Sequence, residues 1–137
     1  MNKYGRDFYH NLYEGAKQSS RKRTHFNLHK SYEDKVQRLV IALVRGSFVE
    51  PHFHSLPHQW ESFFVLEGKI EVNIYDDEGE IISSCIIGDN EEFQFIEIQP
   101  KEIHSVKCIS EVATILEIKE GPFVYDNAKT IADFVKP

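Results

Sequence analysis

His52 and His54 flank Phe53 just after Pro51, Glu61 follows after six intervening residues, and His104 stands far down the chain behind Pro100-Lys101-Glu102-Ile103. On a strand, residues two apart point to the same face, so the His52 and His54 imidazoles can converge on one point. Glu61 opens the next apolar stretch, and His104 starts a more distant one. Three imidazoles and one carboxylate form a donor set for one divalent transition metal, with Fe, Mn, Ni and Zn all compatible. Unpaired inside a small domain, each neutral group would cost about 1–3 kcal/mol and the carboxylate more. Against a total stability of roughly 5–15 kcal/mol, metal or ordered water is expected among them. His58, in the loop after Leu56-Pro57, is either a competing ligand or a residue of the rim. Cys108 shares the face of His104 and Val106 and is expected near the cavity without being a ligand.

These residues need strands to hold them, and the pattern supplies them. Val36 to Val44 is aliphatic, and Phe48-Val49 resumes after Arg45-Gly46-Ser47. Ser62 to Leu66 is a short apolar strand. Ile70, Val72 and Ile74 then alternate with Glu71, Asn73 and Tyr75, the period of a half-buried strand. Asp76-Asp77-Glu78-Gly79 is a turn, and Ile81 to Ile87 returns as the second arm of a hairpin. Phe93 to Ile98, His104 to Ile109 and Val112 to Ile118 complete a series with no helices between, which predicts an all-β antiparallel sandwich or barrel. A short N-terminal helix is expected around Asp7 to Glu14, from the i,i+4 pairs Phe8/Leu12 and Tyr9/Tyr13, with Gly15 near its end. A short C-terminal helix is expected after Asp126 or Asn127, with Ile131, Phe134 and Val135 on one face. The chain reads as a single domain: a helix and basic segment over 1–35, a barrel over 36–125 and the closing helix over 126–137.

Composition excludes other classes. At 137 residues the chain is long enough for one core. Its longest apolar run, Leu39 to Val44, is far short of the ~20 residues of a membrane helix. No charged-then-apolar leader opens the sequence, and the two cysteines, Cys85 and Cys108, are expected as free thiols in a reducing cytoplasm. A net charge of −6 argues against general nucleic-acid binding, which needs surplus Lys and Arg.

The order Gly46, His52, His54, Glu61, Gly68 resembles the first motif of the cupins, and His104 falls where the second motif places its histidine. Further stretches resemble the WbuC-type cupin-fold metalloproteins of bacterial surface-polysaccharide gene clusters. They are Arg21-x-Arg23-x-x-x-Asn27-Leu28-His29, Val36-Gln37-Arg38 through Ala42, Gly46-Ser47-Phe48-Val49-x-Pro51-His52-x-His54 and Glu117-x-Lys119-x-Gly121-Pro122-Phe123. The likeness spans Arg21 to Pro137. It departs from the general cupin pattern in the six residues between His54 and Glu61, in Gln99 and Lys101 where proline and glycine are usual, and in Cys108 where asparagine is. The long loop is shared by the WbuC type.

The resemblance implies a jelly-roll-like double-stranded β-helix barrel with one divalent metal at His52, His54, Glu61 and His104. It also directs attention to the locally positive segment, because Arg suits bidentate contact with phosphate or carboxylate. Arg21, Arg23, Asn27, His29 and Arg38 are the expected contacts of a small anionic ligand, such as a sugar, a sugar nucleotide or a carboxylate. The alternative is a solvated run paired with local acids. Two function classes follow. One is a metal-dependent sugar isomerase, epimerase or lyase, with His58, His29, Tyr32 and Glu102 as candidates for proton transfer. The other is a non-catalytic metal-dependent sensor or binding module. Edge strands make a homodimer the expected assembly. His10 and His25 acquire no role.

Overall fold

The computed structural model describes residues 1–135. One helix, α1 (Arg6–Gln18), precedes ten strands: β1 (Arg23–Asn27), β2 (Val36–Val44), β3 (Phe48–Phe53), β4 (Glu61–Glu67), β5 (Lys69–Tyr75), β6 (Ile81–Gly88), β7 (Phe95–Ile98), β8 (Ile103–Cys108), β9 (Val112–Glu120) and β10 (Thr130–Ile131). They form two five-stranded antiparallel sheets, in the orders β1-β2-β9-β4-β7 and β10-β3-β8-β5-β6. The sheets face each other without closing into a continuous barrel.

Alternation decides what the interior contains. On β2 the odd positions Gln37, Leu39, Ile41 and Leu43 face inward, while Ala42 and Val44 face α1. Register stacks these positions into layers. Glu61 pairs with Lys119, then Phe63 and Leu39 with Glu117, then Val65 and Ile41 with Ile115. The opposite sheet repeats the sequence: His52 and Ile74 flank His104, Val49 and Val72 flank Val106, and Ile70 lies beside Cys108. One end of the interior is therefore polar and the other is packed with Leu43, Val65, Ile70, Ile87, Ala113 and Cys108. Fully burying each large aliphatic side chain contributes about 1.5–3 kcal/mol, so the apolar end holds the sheets together and the polar end is free to carry chemistry.

α1 covers the outer face of β2 through Tyr13 and Ala16, which pack on Ala42 and Val44. Tyr13 donates its hydroxyl to Glu67 at 2.8 Å and meets Thr114 Oγ1. The helix runs through Gly15, where the sequence suggests a break. Gly15 lets β1 approach: a Cβ there would already touch Thr24 at 3.4 Å. The segment β1, read from sequence only as a basic stretch, is a strand because its backbone completes the edge of β2, from Arg23 opposite Leu43 to Asn27 opposite Leu39. The closing helix expected over 126–137 is replaced by single 3-10 turns at Tyr125–Asn127 and Asp133–Val135 on either side of β10. Lys136 and Pro137 lie outside the described residues. Pairing with β3, Thr130 opposite Phe53 and Ile131 opposite His52, satisfies backbone groups that a helix would turn away from that edge. Cys85 and Cys108 are free thiols. Among the described residues no helix is long and apolar enough to cross a membrane.

Gly68, between β4 and β5, sits at φ +76°, and a Cβ there would lie 2.0 Å from the Val112 carbonyl oxygen. Gly68→Ala is expected to destabilise the fold by about 2–4 kcal/mol, read from denaturant unfolding of both proteins.

Candidate metal centre

β3 delivers His52 at 6% exposure and, just past its end, His54 at 8%; β4 begins with Glu61 at 4%, and β8 carries His104 at 0%. One ligand atom from each lies within 4.8 Å of every other. The distances from Glu61 Oε2 to His54 Nε2 and His104 Nε2 are 3.0 and 3.2 Å. Pairing of His52 with His104 across β3 and β8 sets two of the rings 4.3 Å apart.

The other nitrogen of each ring fixes its chemistry. His52 Nδ1 lies 2.9 Å from the Glu50 carbonyl, His54 Nδ1 2.6 Å from that of Ala128, and His104 Nδ1 2.9 Å from that of Glu102. A carbonyl only accepts, so in each ring Nδ1 carries the proton and Nε2 presents a bare lone pair. His54 Nε2, His104 Nε2 and Glu61 Oε2 are all buried without a properly directed hydrogen bond. Three acceptors aimed at one another in a water-poor site repel unless a cation lies between them. The four residues thus fit a divalent metal held by three nitrogens and one oxygen, and they form a cupin-type metal-binding site.

With no cation between them, the groups shift one another's ionisation strongly. Burial, and next the neighbouring His104, push His52 down to about 3. Burial would raise the Glu61 carboxyl, but His104 and His54 draw it well below the usual carboxylate range. Burial would lower His54, but Glu61 and the Ala128 carbonyl raise it overall. A second carboxyl, Glu117, stands one layer inward at 7% exposure, with Lys119 Nζ 3.4 Å from its Oε2. Burial pushes Glu117 up to about 7 against the pull of Lys119, and the Glu61 charge adds to the rise.

Two connected spaces adjoin the cluster. An outer vestibule of about 820 Å³ is lined by Arg21, Asn27, His29, Tyr32, Lys119 and Lys129 among others, and reaches His52, His54 and Glu61. An inner chamber of about 220 Å³ is also lined by His52 and Glu61 and includes Arg21 and Arg23. Arg21, Arg23, Asn27, His29 and Tyr32 therefore do gather around the cluster. The buried Asn27 Oδ1 and His29 Nε2 have no partner.

Other expected residues are placed elsewhere. Arg38 sits on the outward face of β2, donates to the Leu28 carbonyl at 3.4 Å and lines neither space. Its even position on β2 sends it away from the interior. His58 is outside the metal group and both spaces, and its Nε2 is buried elsewhere without a partner. The Glu102 carboxylate is occupied by the Gln99 amide at 2.7 Å, and that residue serves the site through its backbone carbonyl instead.

His25, Glu117, Lys119 and Lys129 line the cavity without having been singled out as site residues in the sequence. Glu117 did leave a signal, a carboxylate at an inward position between Ile115 and Lys119. Lys129 left none, because only the return of the chain along β3 brings it there.

The fold is that of the cupins, and the site fits a divalent metal. Residues 5–87 match a family described as a domain of unknown function, DUF6016, and the chain belongs to that family. Among solved structures, it is similar to a cupin superfamily protein from Desulfitobacterium hafniense, at 14% identity and TM-score 0.55 over 72% of this chain and 76% of the other. It is similar to a protein from Shewanella oneidensis, at 11% identity and TM-score 0.65 over 78% and 72%. It is also similar to the Bacillus subtilis oxalate decarboxylase, described with Mn(II) centres, at 17% identity and TM-score 0.55 over 72% of this chain but only 24% of the other. At such identities the likeness is one of fold. No curated protein matches the sequence.

Protein purified without a metal-affinity tag is expected to carry about one transition-metal ion per chain by elemental analysis, and His104→Ala less than about a tenth of that while keeping its β circular-dichroism spectrum.

Proposed function

We propose that the protein is a metal-dependent cupin that binds a small anionic metabolite beside the metal, of the kind represented by the carbohydrate and sugar-nucleotide precursors of surface polysaccharide. One observation carries the reading. Arg21, Arg23 and Lys129 converge on the cavity that the metal cluster adjoins, and among the described residues none of the three forms an ion pair. The crowding is visible in their ionisation. Burial and then Arg21 lower Arg23; burial and then Arg23 lower Lys129; burial and then Arg21 lower His25. Glu50 is the one acid near them whose charge works the other way on both Arg23 and Lys129. An anion entering the cavity relieves that repulsion and gains charge-assisted hydrogen bonds.

The polysaccharide context rests on the motif likeness from Arg21 onward. A bound divalent metal would polarise an oxygen of the ligand. Of the proposed proton-transfer groups, His29 and Tyr32 line the vestibule, whereas His58 and Glu102 do not. Glu117 is the carboxyl best placed to exchange a proton with a ligand there. The reading of a binding module without turnover shares the same cavity and differs only in whether Glu117 is used.

Titration calorimetry with inorganic phosphate, sugar phosphates and nucleotide sugars tests the proposal. Replacing Arg21 and Arg23 together by Ala is expected to weaken the tightest of these by about tenfold or more. Equal affinity in the double variant would sink the anionic-ligand reading. Product analysis of the same mixtures separates an enzyme from a binding module.

A further inference from the structure

The inner chamber has a composition that the anionic ligand alone does not explain. Its exposed rim carries Arg21 and Lys129, and the half-buried Arg23 spans the seam between the sheets, donating to the Phe48 carbonyl at 3.4 Å. Its depth is different. Leu43, Phe63, Val106 and Ile115 form the floor at 1%, 4%, 4% and 2% exposure, with Ile41 and Val49 as walls. His25, His52, Glu61 and Glu117 line this chamber and the vestibule alike.

The volume, about 220 Å³, exceeds the cavity of roughly 150 Å³, lined by similar side chains, that holds benzene dry in another protein. A sugar ring lowered into this floor would leave hydroxyl groups facing aliphatic carbon, each without a hydrogen-bond partner. An alkyl or aryl group would instead exchange water for close contact on every side.

We propose that the inner chamber is a subsite for an apolar group, so that the ligand is an amphipathic anion. Its phosphate or carboxylate lies on Arg21, Arg23 and Lys129, its aliphatic or aromatic end lies on Leu43, Phe63, Val106 and Ile115, and the atoms between pass the metal cluster. This rests on the anionic-ligand reading above and narrows it. A carbohydrate satisfies it only by turning a deoxy or methyl-bearing edge inward.

The probes are methyl, ethyl, propyl and butyl phosphate, phenyl phosphate and glycerol 3-phosphate, titrated into wild-type protein of measured metal content. Affinity is expected to rise about fourfold per methylene, the ratio corresponding to about 0.8 kcal/mol. Propyl phosphate is expected to bind at least about tenfold more tightly than glycerol 3-phosphate, which has the same carbon chain with two added hydroxyls. Ile41→Phe, which projects a larger ring into the chamber, is expected to flatten the chain-length series. Phosphates that bind without regard to chain length, or tighter binding of glycerol 3-phosphate, overturn the apolar subsite and leave the anion site standing. Failure of all six to bind, while a sugar phosphate or nucleotide sugar binds and weakens on replacing Arg21 and Arg23, overturns the apolar subsite alone; failure of every one of these anions to bind overturns the anionic reading and this one together.

Discussion

Three imidazoles in this protein are each tied by Nδ1 to a backbone carbonyl, and the tie turns Nε2 of His54 and His104 onto a buried carboxylate with His52 beside them. Every one of those carbonyls belongs to a different part of the fold. Glu50 is in β3 itself, Glu102 is in the turn entering β8, and Ala128 is in the C-terminal return. The orientation of the rings is thus a property of the whole β structure. Acceptors held this closely out of water repel one another, and a divalent cation converts the repulsion into coordination. The polar end of the interior is tolerable on that condition, and the arrangement of β3, β4 and β8 serves it.

The apolar end makes the condition affordable. Layering across β2, β9 and β4 changes from Gln37, Lys119 and Glu61 to Ile41, Ile115 and Val65 within a few residues along each strand. One end stabilises, and the other positions charged groups that would otherwise pull the sheets toward solvent. Between them lies space that neither end fills. Its rim is cationic because the segment entering β1 brings Arg21 and Arg23 there and Lys129 returns beside them. As proposed, a cavity with the candidate metal donors on its wall, cations at its rim and aliphatic carbon on its floor would select ligands by three different interactions at once. Coordination, charge and apolar burial each discriminate against molecules that satisfy only two of them.

How much of this could be read from residues alone differs from element to element. Ile70, Val72 and Ile74 alternate in sequence and lie on one face in space, because a strand's period is set by its backbone. His52, His54, Glu61 and His104 were legible for a related reason: their spacing, taken with the order of motifs they resemble, matches a pattern of strands that converges. Arg38 was misplaced by a single position of that same alternation, which puts it outside while Leu39 goes in. Glu102 was chosen for its carboxylate and contributes its carbonyl. Backbone groups carry no signature in a sequence.

The sequence by itself determined the central strands from β2 to β9, the candidate metal donors and the local positive charge ahead of β2, since each follows from residue type and near-neighbour spacing. Only the tertiary structure decided the tautomer of each histidine, the burial of Glu117 beside Glu61, and the meeting of Lys129 with Arg21 and Arg23. These depend on contacts between segments far apart in the chain, such as His54 with Ala128, whose geometry is set by sheet register and by the path of the C-terminal return. Local propensity does not encode such distances. Packing does.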